Sequence, residues 1–579
     1  MPITEILEKN AKEYGKDVCL VEINPDLQEK KRVTWRDYEL IESNPMCQYR
    51  REITWHVFNE KANRFANLLI SRGIKKGDKV AILLMNCLEW LPIYFGILKA
   101  GALAVPLNFR YAADEIKYCV ELAEVDVLVF GPEFTGRVEE IVDEIDEKRI
   151  LFYVGGDCPT FAEDYDKLAA NCPSYSPDIK LTDDDYAAIY FSSGTTGFPK
   201  AILHKHRSLM HAAKVEQKRH GQTKDDVFLC IPPLYHTGAK MHWLGSLLTG
   251  GKAVLLKGVT PKTILETVSN EGCTIVWLLV PWAQDILLAL DRGEVKLEDY
   301  KLDQWRLMHI GAQPVPQSLI KRWKEYFPHH QYDTNYGLSE SIGPGCVHLG
   351  VENINKVGAI GIPGYGWEAK IVDPEGNPVE QGSVGELIVK GPGVMTCYYN
   401  DEKATAETIK DGWLYTGDMA EMDVSLLVRL PPGFSGGLSG HLFLRCVRAA
   451  PSVLWKTAAD NPPSINSHAI SGTLHEDCGA SVPYLSGRDG AVCAVAVVFY
   501  ECGIFPVSVP DESAAGTAMA LRCFVDVLDP ESVSDGLSFV TTKDVLFGAF
   551  SCWHLMRHVV WRRIRSIFGG DVPEERGFG

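Results

Sequence analysis

Among the 16 cysteines no two are spaced C-x-x-C and none sits in a Cys/His cluster along the chain, so no zinc-ribbon or dithiol redox signature is present. A chain of 579 residues does not depend on disulfides for its core, and these cysteines read as reduced, mostly buried thiols. Long hydrophobic runs are missing too. The apolar stretch Ala491–Tyr500 is interrupted by Glu501, well short of the roughly 20 residues that a membrane-spanning helix requires. The amino terminus, MPITEILEKNAKEYGKD, has no basic segment followed by an apolar one, so it reads as an opening helix and not as a secretory signal, and cytoplasmic residence is the expectation. Positive charge is scarce: 58 Lys and Arg stand against 76 Asp and Glu, a net charge of −18. That balance excludes a nucleic-acid surface and means that any phosphate must be held in a specific pocket. Lysine all but disappears after Asp423: the first 423 residues hold 32 Lys and 14 Arg, whereas the remaining 156 hold only Lys456 and Lys543 beside 10 Arg.

The length has room for about three to four structural units, and 46% hydrophobic residues suffice for several cores. Over residues 53–72, Phe58, Ala62, Phe65 and Leu69 share one helical face ahead of Gly73. An apolar strand follows at Lys79–Met85, then a helix to Ala100, a strand at Ala102–Pro106, a helix from Ala113 and a strand at Val125–Phe130. Strands alternating with helices imply parallel sheets in an α/β architecture. The rhythm returns after Asp185, with AAIYF, FLCIPP, AVLL and TIVWLLV as strands and helices such as Ser208–Arg219 and Pro261–Glu271, which predicts a second, related αβ sheet. From Gly361 short strands with tight turns predict a small antiparallel, β-barrel-like subdomain over 361–423. After Asp423 neither rhythm persists.

Strand AAIYF runs into Ser192-Ser193-Gly194-Thr195-Thr196-Gly197-Phe198-Pro199-Lys200. A Ser/Thr/Gly-rich turn leaving a strand offers backbone N–H groups, hydroxyls and one ammonium, the chemistry a polyphosphate needs. Lys200 is followed by Ala201, so this is not a Walker motif. Taken alone, such a stretch is as readily a solvated loop. Downstream, DTNYGLSES (Asp333–Ser341) brings an aromatic ring, a glycine, a hydroxyl and a carboxylate together.

The string YFSSGTTGFPKA, the DTNYGLSES segment and GWLYTGDMA (Gly412–Ala420), in that order, resemble the AMP-forming acyl-CoA synthetase family of adenylate-forming enzymes over roughly residues 1–423. The resemblance implies an amino-terminal adenylation domain and the substrates ATP, CoA and a small-molecule carboxylic acid, with Mg2+ as cofactor. It assigns Ser192, Ser193, Gly194, Thr195, Thr196, Gly197 and Lys200 to the ATP phosphates, Lys200 neutralising the departing pyrophosphate. Tyr336, beside Gly337, stacks on adenine, Asn335 approaches its amino group, and Ser339 contacts the α-phosphate. Glu340 and Thr196 serve Mg2+, a hard cation that suits oxygen ligands. Gly311-Ala312-Gln313, after the strand LMHI, matches the second wall of the adenine site, and Asp418 accepts from the ribose hydroxyls. His236, in IPPLYHTGA, either faces the reacting carboxylate, stabilising developing negative charge, or is a satisfied structural histidine. Met241, Trp243, Leu244, Trp277, Val280 and Pro281 line an acyl pocket or simply fill the core.

Family members continue past the ribose aspartate into a mobile carboxy-terminal domain with an Asp-Arg pair and a Gly-Lys near its end. Here Met422-Asp423 keeps the pattern and VSLLVRLPPGFSGG loses it. Arg429 lacks the expected surroundings, and neither Lys456 nor Lys543 has a Gly-Lys setting. Residues 424–579 therefore read as a shifted frame or a foreign join, or as a replaced domain, because local signals and global pattern disagree. The end around Arg557, Arg562, Arg563 and Arg565 is either a membrane-surface helix or a disordered basic segment. Three functions follow: an acid–CoA ligase for a fatty or aromatic acid, a carrier-protein-loading adenylating enzyme, or a non-catalytic nucleotide- or acyl-binding protein. Oligomeric state is not legible.

Overall fold

A computed structural model describes residues 1–27, 32–35, 38–41, 49–145, 148–192, 199–343, 345–350, 353–356, 358–423, 428–429, 497–500 and 503–506. The expected opening helix forms at Thr4–Glu13. The helix anticipated over 53–72 spans Trp55–Ser71, with Thr54 capping it by accepting the Val57 N–H at 3.4 Å. Its apolar face, Phe58, Ala62, Phe65 and Leu69, is fully buried. Each large side chain removed from water there contributes about 1.5–3 kcal/mol.

Two large sheets carry the first 423 residues. One has eight strands, ordered Cys397–Tyr398, Ala201–Lys205, Tyr186–Phe191, Leu103–Pro106, Lys79–Leu83, Val127–Phe130, Ile150–Tyr153 and Glu163–Asp164. The other has seven, ordered Gln331–Asp333, Leu307–Gly311, Ile275–Leu279, Val227–Cys230, Lys252–Leu256, Val18–Ile23 and Arg50–Thr54. The two αβ sheets match the expectation, but neither is wholly parallel. Ala201–Lys205 runs antiparallel to Tyr186–Phe191, and Arg50–Thr54 antiparallel to Val18–Ile23. For the first pair the reason is local: a strand returning through the short connection from Phe191 to Ala201 has no room for the crossover helix that a parallel partner requires.

Glu368–Val372, Val384–Lys390, Trp413–Met422, Ile409–Lys410 and Val428–Arg429 build the antiparallel subdomain expected from Gly361 onward. The chain divides into two compact units, 1–449 and 450–579. In the second, the described residues form a hairpin pairing Val497–Tyr500 with Gly503–Pro506. The other expectations for 424–579, the basic end included, lie outside the described residues. Among the described residues no helix is long and apolar enough to cross a membrane.

Candidate active site

The antiparallel pairing of Tyr186–Phe191 with Ala201–Lys205 brings the two ends of the Ser/Thr/Gly segment together. Its neck is closed twice: the Ser192 N–H donates to the Lys200 carbonyl at 3.0 Å, and the Lys200 N–H donates to Ser192 Oγ at 3.1 Å. Both residues therefore stand at the base of the turn. Ser193, Gly194, Thr195, Thr196 and Gly197 lie outside the described residues. The edge strand Cys397–Tyr398 pairs beside Ala201–Lys205, with Ile202 opposite Tyr398. This register sets Lys200 Nζ over the Tyr398 ring, 4.7 Å from its centroid, a cation–π contact. Tyr398 Oη in turn donates to Glu340 Oε1 at 2.8 Å. Burial pushes the Glu340 carboxyl up, against the hydrogen bond from Tyr398 and the Lys200 charge, so a bound cation would gain by neutralising it. A carboxylate with hard oxygens at this place fits Mg2+, which takes few protein ligands and completes its shell with phosphate and water.

Tyr336 Oη donates to Asp418, so two segments 82 residues apart meet through the residues assigned to adenine and ribose. Asn335 donates its amide N–H to His242 Nε2 at 3.2 Å, which leaves its carbonyl to accept an amino group. Ser339 is held at its backbone, its carbonyl accepting from His204 Nε2 at 2.8 Å. Gly337, between Tyr336 and this turn, is half-buried. Gly311 ends its strand, and Ala312 follows at φ +66°, a left-handed conformation rare for a residue with a Cβ. Backbone strain of this kind collects at ligand sites. Ala312 and Gln313 are exposed at the carboxyl end of a parallel strand, where α/β sheets bind ligands.

His236 caps the helix Thr237–Thr249, its Nδ1 accepting the Gly238 N–H at 3.0 Å. The proton therefore sits on Nε2. Burial lowers its pKa to about 4, so the ring is neutral and keeps one free donor for a developing negative charge. The two readings of His236 thus coexist in one side chain.

Trp243 is not free to line a pocket: its ring packs 6.1 Å from Phe58 and 5.9 Å from Phe95 in the core. Met241, Leu244 and Val280 are buried and Pro281 is exposed. Trp277 stacks on His242 at 4.7 Å, beside the nucleotide segment. Two features escaped the reading of the sequence. Tyr398 sits in no motif. Lys240 is fully buried, its Nζ without a hydrogen-bond partner among the described residues and surrounded by the rings of Trp90, Tyr94 and Tyr190.

The model of the family described as AMP-binding enzyme matches residues 7–399. The chain belongs to that family. Feruloyl-CoA synthase from Amycolatopsis sp is 30% identical over 367 residues, 63% of this chain and 70% of that protein. Long-chain-fatty-acid–CoA ligase FadD13 from Mycobacterium tuberculosis is 28% identical over 373 residues, again 63% and 70%. The crystal structure of the N-terminal domain of FACL13 from Mycobacterium tuberculosis shares the fold at a TM-score of 0.63 and 22% identity, covering 74% of this chain and 100% of that one. As an AMP-binding enzyme the chain falls in the class of AMP-forming acid–CoA ligases, whose substrates are an acid, ATP and CoA.

Proposed function

We propose that residues 1–423 form the adenylation domain and activate a fatty or aromatic carboxylic acid as its acyl-adenylate for transfer to CoA. The observation that carries this reading is the junction of Tyr336 with Asp418, with Lys200, Tyr398 and Glu340 grouped beside it. Four segments far apart in the chain thereby supply one nucleotide site. The acid's carboxylate oxygen attacks the α-phosphorus of ATP and pyrophosphate departs. The thiol sulfur of CoA then attacks the acyl carbonyl, AMP leaves with the electron pair, and the thiol proton goes to solvent. Lys200 stabilises the departing pyrophosphate, and Asp418 and Asn335 orient the nucleoside. His236 offers its Nε2–H to the carboxylate. Glu340 and Thr196 would hold Mg2+, which would supply charge neutralisation on the phosphates.

The segment after Asp423 supplies no lysine in a Gly-Lys setting, so adenylation in this chain is slow. Pyrophosphate release is expected to run about 100-fold below that of family members that carry the lysine, the loss that follows removal of one transition-state charge partner. An adenylation rate equal to theirs would refute this account of the tail. The function itself is tested by following pyrophosphate and AMP release with hydroxycinnamic, benzoic and fatty acids, with CoA or a carrier protein as acceptor. Release that needs an acid and CoA supports the ligase. Transfer only to the carrier favours the carrier-loading enzyme, and calorimetric ATP binding without release from any acid favours a non-catalytic binding protein.

Glu340→Gln is expected to raise the Mg2+ concentration for half-maximal pyrophosphate release by about tenfold, because an ionised ligand becomes a neutral one. An unchanged Mg2+ dependence would remove Glu340 from the ion's shell.

A further inference from the structure

Beneath the nucleotide segment lies a second group of titratable side chains that the reaction does not use. The parallel register Trp277 opposite His309 opposite Asp333 sets these three residues on one face of the seven-stranded sheet. Helix His206–His220 places Glu216 and His220 one turn apart against that face, and His348 enters from the strand Val347–His348. Glu216, His309, Asp333 and His348 are fully buried, and His220 and His242 nearly so.

Hydrogen bonds orient two of the rings, His242 and His309. His242 Nδ1 faces the Gly238 carbonyl, which only accepts, so His242 Nε2 is an acceptor. His309 Nε2, 2.8 Å away, donates to it, leaving the His309 Nδ1 lone pair directed the other way. Glu216 lies 3.4 Å from His220 Nδ1, 3.4 Å from His242 Nε2 and 3.7 Å from His348 Nε2, ion-pair distances with no hydrogen bond to any of the three. The ring nitrogens His220 Nε2, His309 Nδ1 and His348 Nδ1 converge with Asp333 Oδ2. Their separations are 2.8 Å (His220–Asp333), 3.1 Å (His220–His309), 3.3 Å (His309–Asp333) and 3.1 Å (His348–Asp333), and all four atoms lie within 4.8 Å of one another. Asp333 Oδ1 is separately satisfied by the Gly350 N–H at 2.7 Å.

Three imidazole nitrogens and a carboxylate oxygen that meet in a dry interior cannot all present lone pairs to one another, so either shared protons or a cation stands between them. Edges of about 3.3 Å are those of a tetrahedron with ligand distances of about 2.0 Å. Two buried carboxylates, Asp333 and Glu216, are balanced by one dication, which removes the cost of burying uncompensated charge. Behind the imidazoles stand groups of the kind that surround metal centres: the Glu216 carboxylate within 3.7 Å of His220 and His348, and His242 Nε2 bonded to His309 Nε2. We propose that His220, His309, His348 and Asp333 form a closed tetrahedral site for a divalent first-row transition ion, Zn2+ fitting the N3O donor set best, with Glu216 and His242 as its outer shell. The site pins the start of the Asp333–Ser341 segment to the strand that ends at Gly311, beneath both walls of the nucleotide cleft. It is structural, because four protein ligands leave no open position. The proposal stands apart from the acid–CoA ligase reading and does not depend on turnover.

The test uses the full chain. Elemental analysis by inductively coupled plasma mass spectrometry after dialysis is expected to find about one Zn2+ per chain, and stripping with dipicolinate to lower Tm by at least about 5 °C. Reconstitution with Co2+ is expected to give visible d–d bands of tetrahedral cobalt without a thiolate charge-transfer band, and Asp333→Asn to lose them. A thiolate band would place the ion on cysteines and overturn the assignment. Wild-type protein that retains no metal and shows neither Co2+ bands nor a Tm shift on adding Zn2+ would overturn it as well, leaving a network held by shared protons. Because the wild-type measurements decide on their own, a variant that fails to fold does not obscure the result.

Discussion

Gly361→Ala is expected to be severely damaging, costing more than about 4 kcal/mol and leaving little folded protein. A Cβ at this position would lie 2.0 Å from the His348 carbonyl carbon, 2.1 Å from its oxygen and 2.2 Å from the Leu349 nitrogen. These are backbone atoms of the neighbouring strand, and no rotamer change moves them aside. The conformation compounds the clash, since φ is +121°. The surroundings cannot yield cheaply: Ile362–Pro363 pairs with Val347–His348, and the Gly361 carbonyl accepts the Val428 N–H at 2.7 Å. Any outward shift would break that ladder and carry His348 away from Asp333. Gly382→Ala is the control. It has a similar demand on the backbone, φ +85°, but nothing within 4 Å of its Cβ, so its cost is the left-handed strain alone, about 1 kcal/mol. Urea denaturation of both variants separates contact from conformation, and equal losses would show that the close approach to His348 is not rigid.

The alternation of strand and helix was legible because buried parallel strands are short apolar runs, and KVAIL, VLVF and IVWLL all appear where the sequence places them. Direction was not legible. Ala201–Lys205 has the same apolar character as a parallel strand, and only the hairpin neck between Ser192 and Lys200 reverses it. The segments holding Lys200, Tyr336, Glu340 and Asp418 could be named because each contains an unusual string of residue types over a few positions. The Tyr336–Asp418 bond joins two of those strings, yet no string reveals that they touch. Tyr398 went unnoticed since its role arises from strand order, not from its neighbours in sequence.

The histidine cluster shows the limit more sharply. A search for metal ligands by spacing finds clusters that one loop or one helix provides. Here Glu216 and His220 give the only helical spacing, while His309, Asp333 and His348 arrive on three separate strands. Their approach depends on the register of a parallel sheet, in which a slip of one residue would turn His309 to the opposite face. Composition carries no trace of such an arrangement.

Lys240→Met is expected to stabilise the protein at neutral pH by on the order of 2–3 kcal/mol, an unusual direction for a core substitution. Lys240 lies in the first turns of the helix Thr237–Thr249, where the helix dipole disfavours a cation. Burial holds its ammonium far below the ordinary lysine range. The groups facing it offset only part of that cost. Tyr190, Tyr94 and Trp90 present their rings at 4.2, 4.5 and 5.3 Å, and the Tyr94 and Tyr190 hydroxyls bond each other at 2.8 Å rather than the amine. The neighbouring His204 and His236 supply no negative charge, since burial keeps both neutral, each with its pKa lowered to about 4. Methionine keeps the length of the side chain and makes favourable sulfur–aromatic contacts with the same rings. The pH dependence gives the sign. Between the depressed folded value and the ordinary value near 10.5, the unfolded chain binds a proton at this position and the folded chain does not, so wild-type stability rises with pH across that window. The variant lacks this term, and the stability difference should shrink steadily as pH rises toward 10.5. Thermal denaturation of both proteins from neutral to alkaline pH measures it, since every other titration cancels in the difference. A variant less stable than wild type at neutral pH, with a gap that does not change with pH, would mean that the three rings hold the charged amine without net cost.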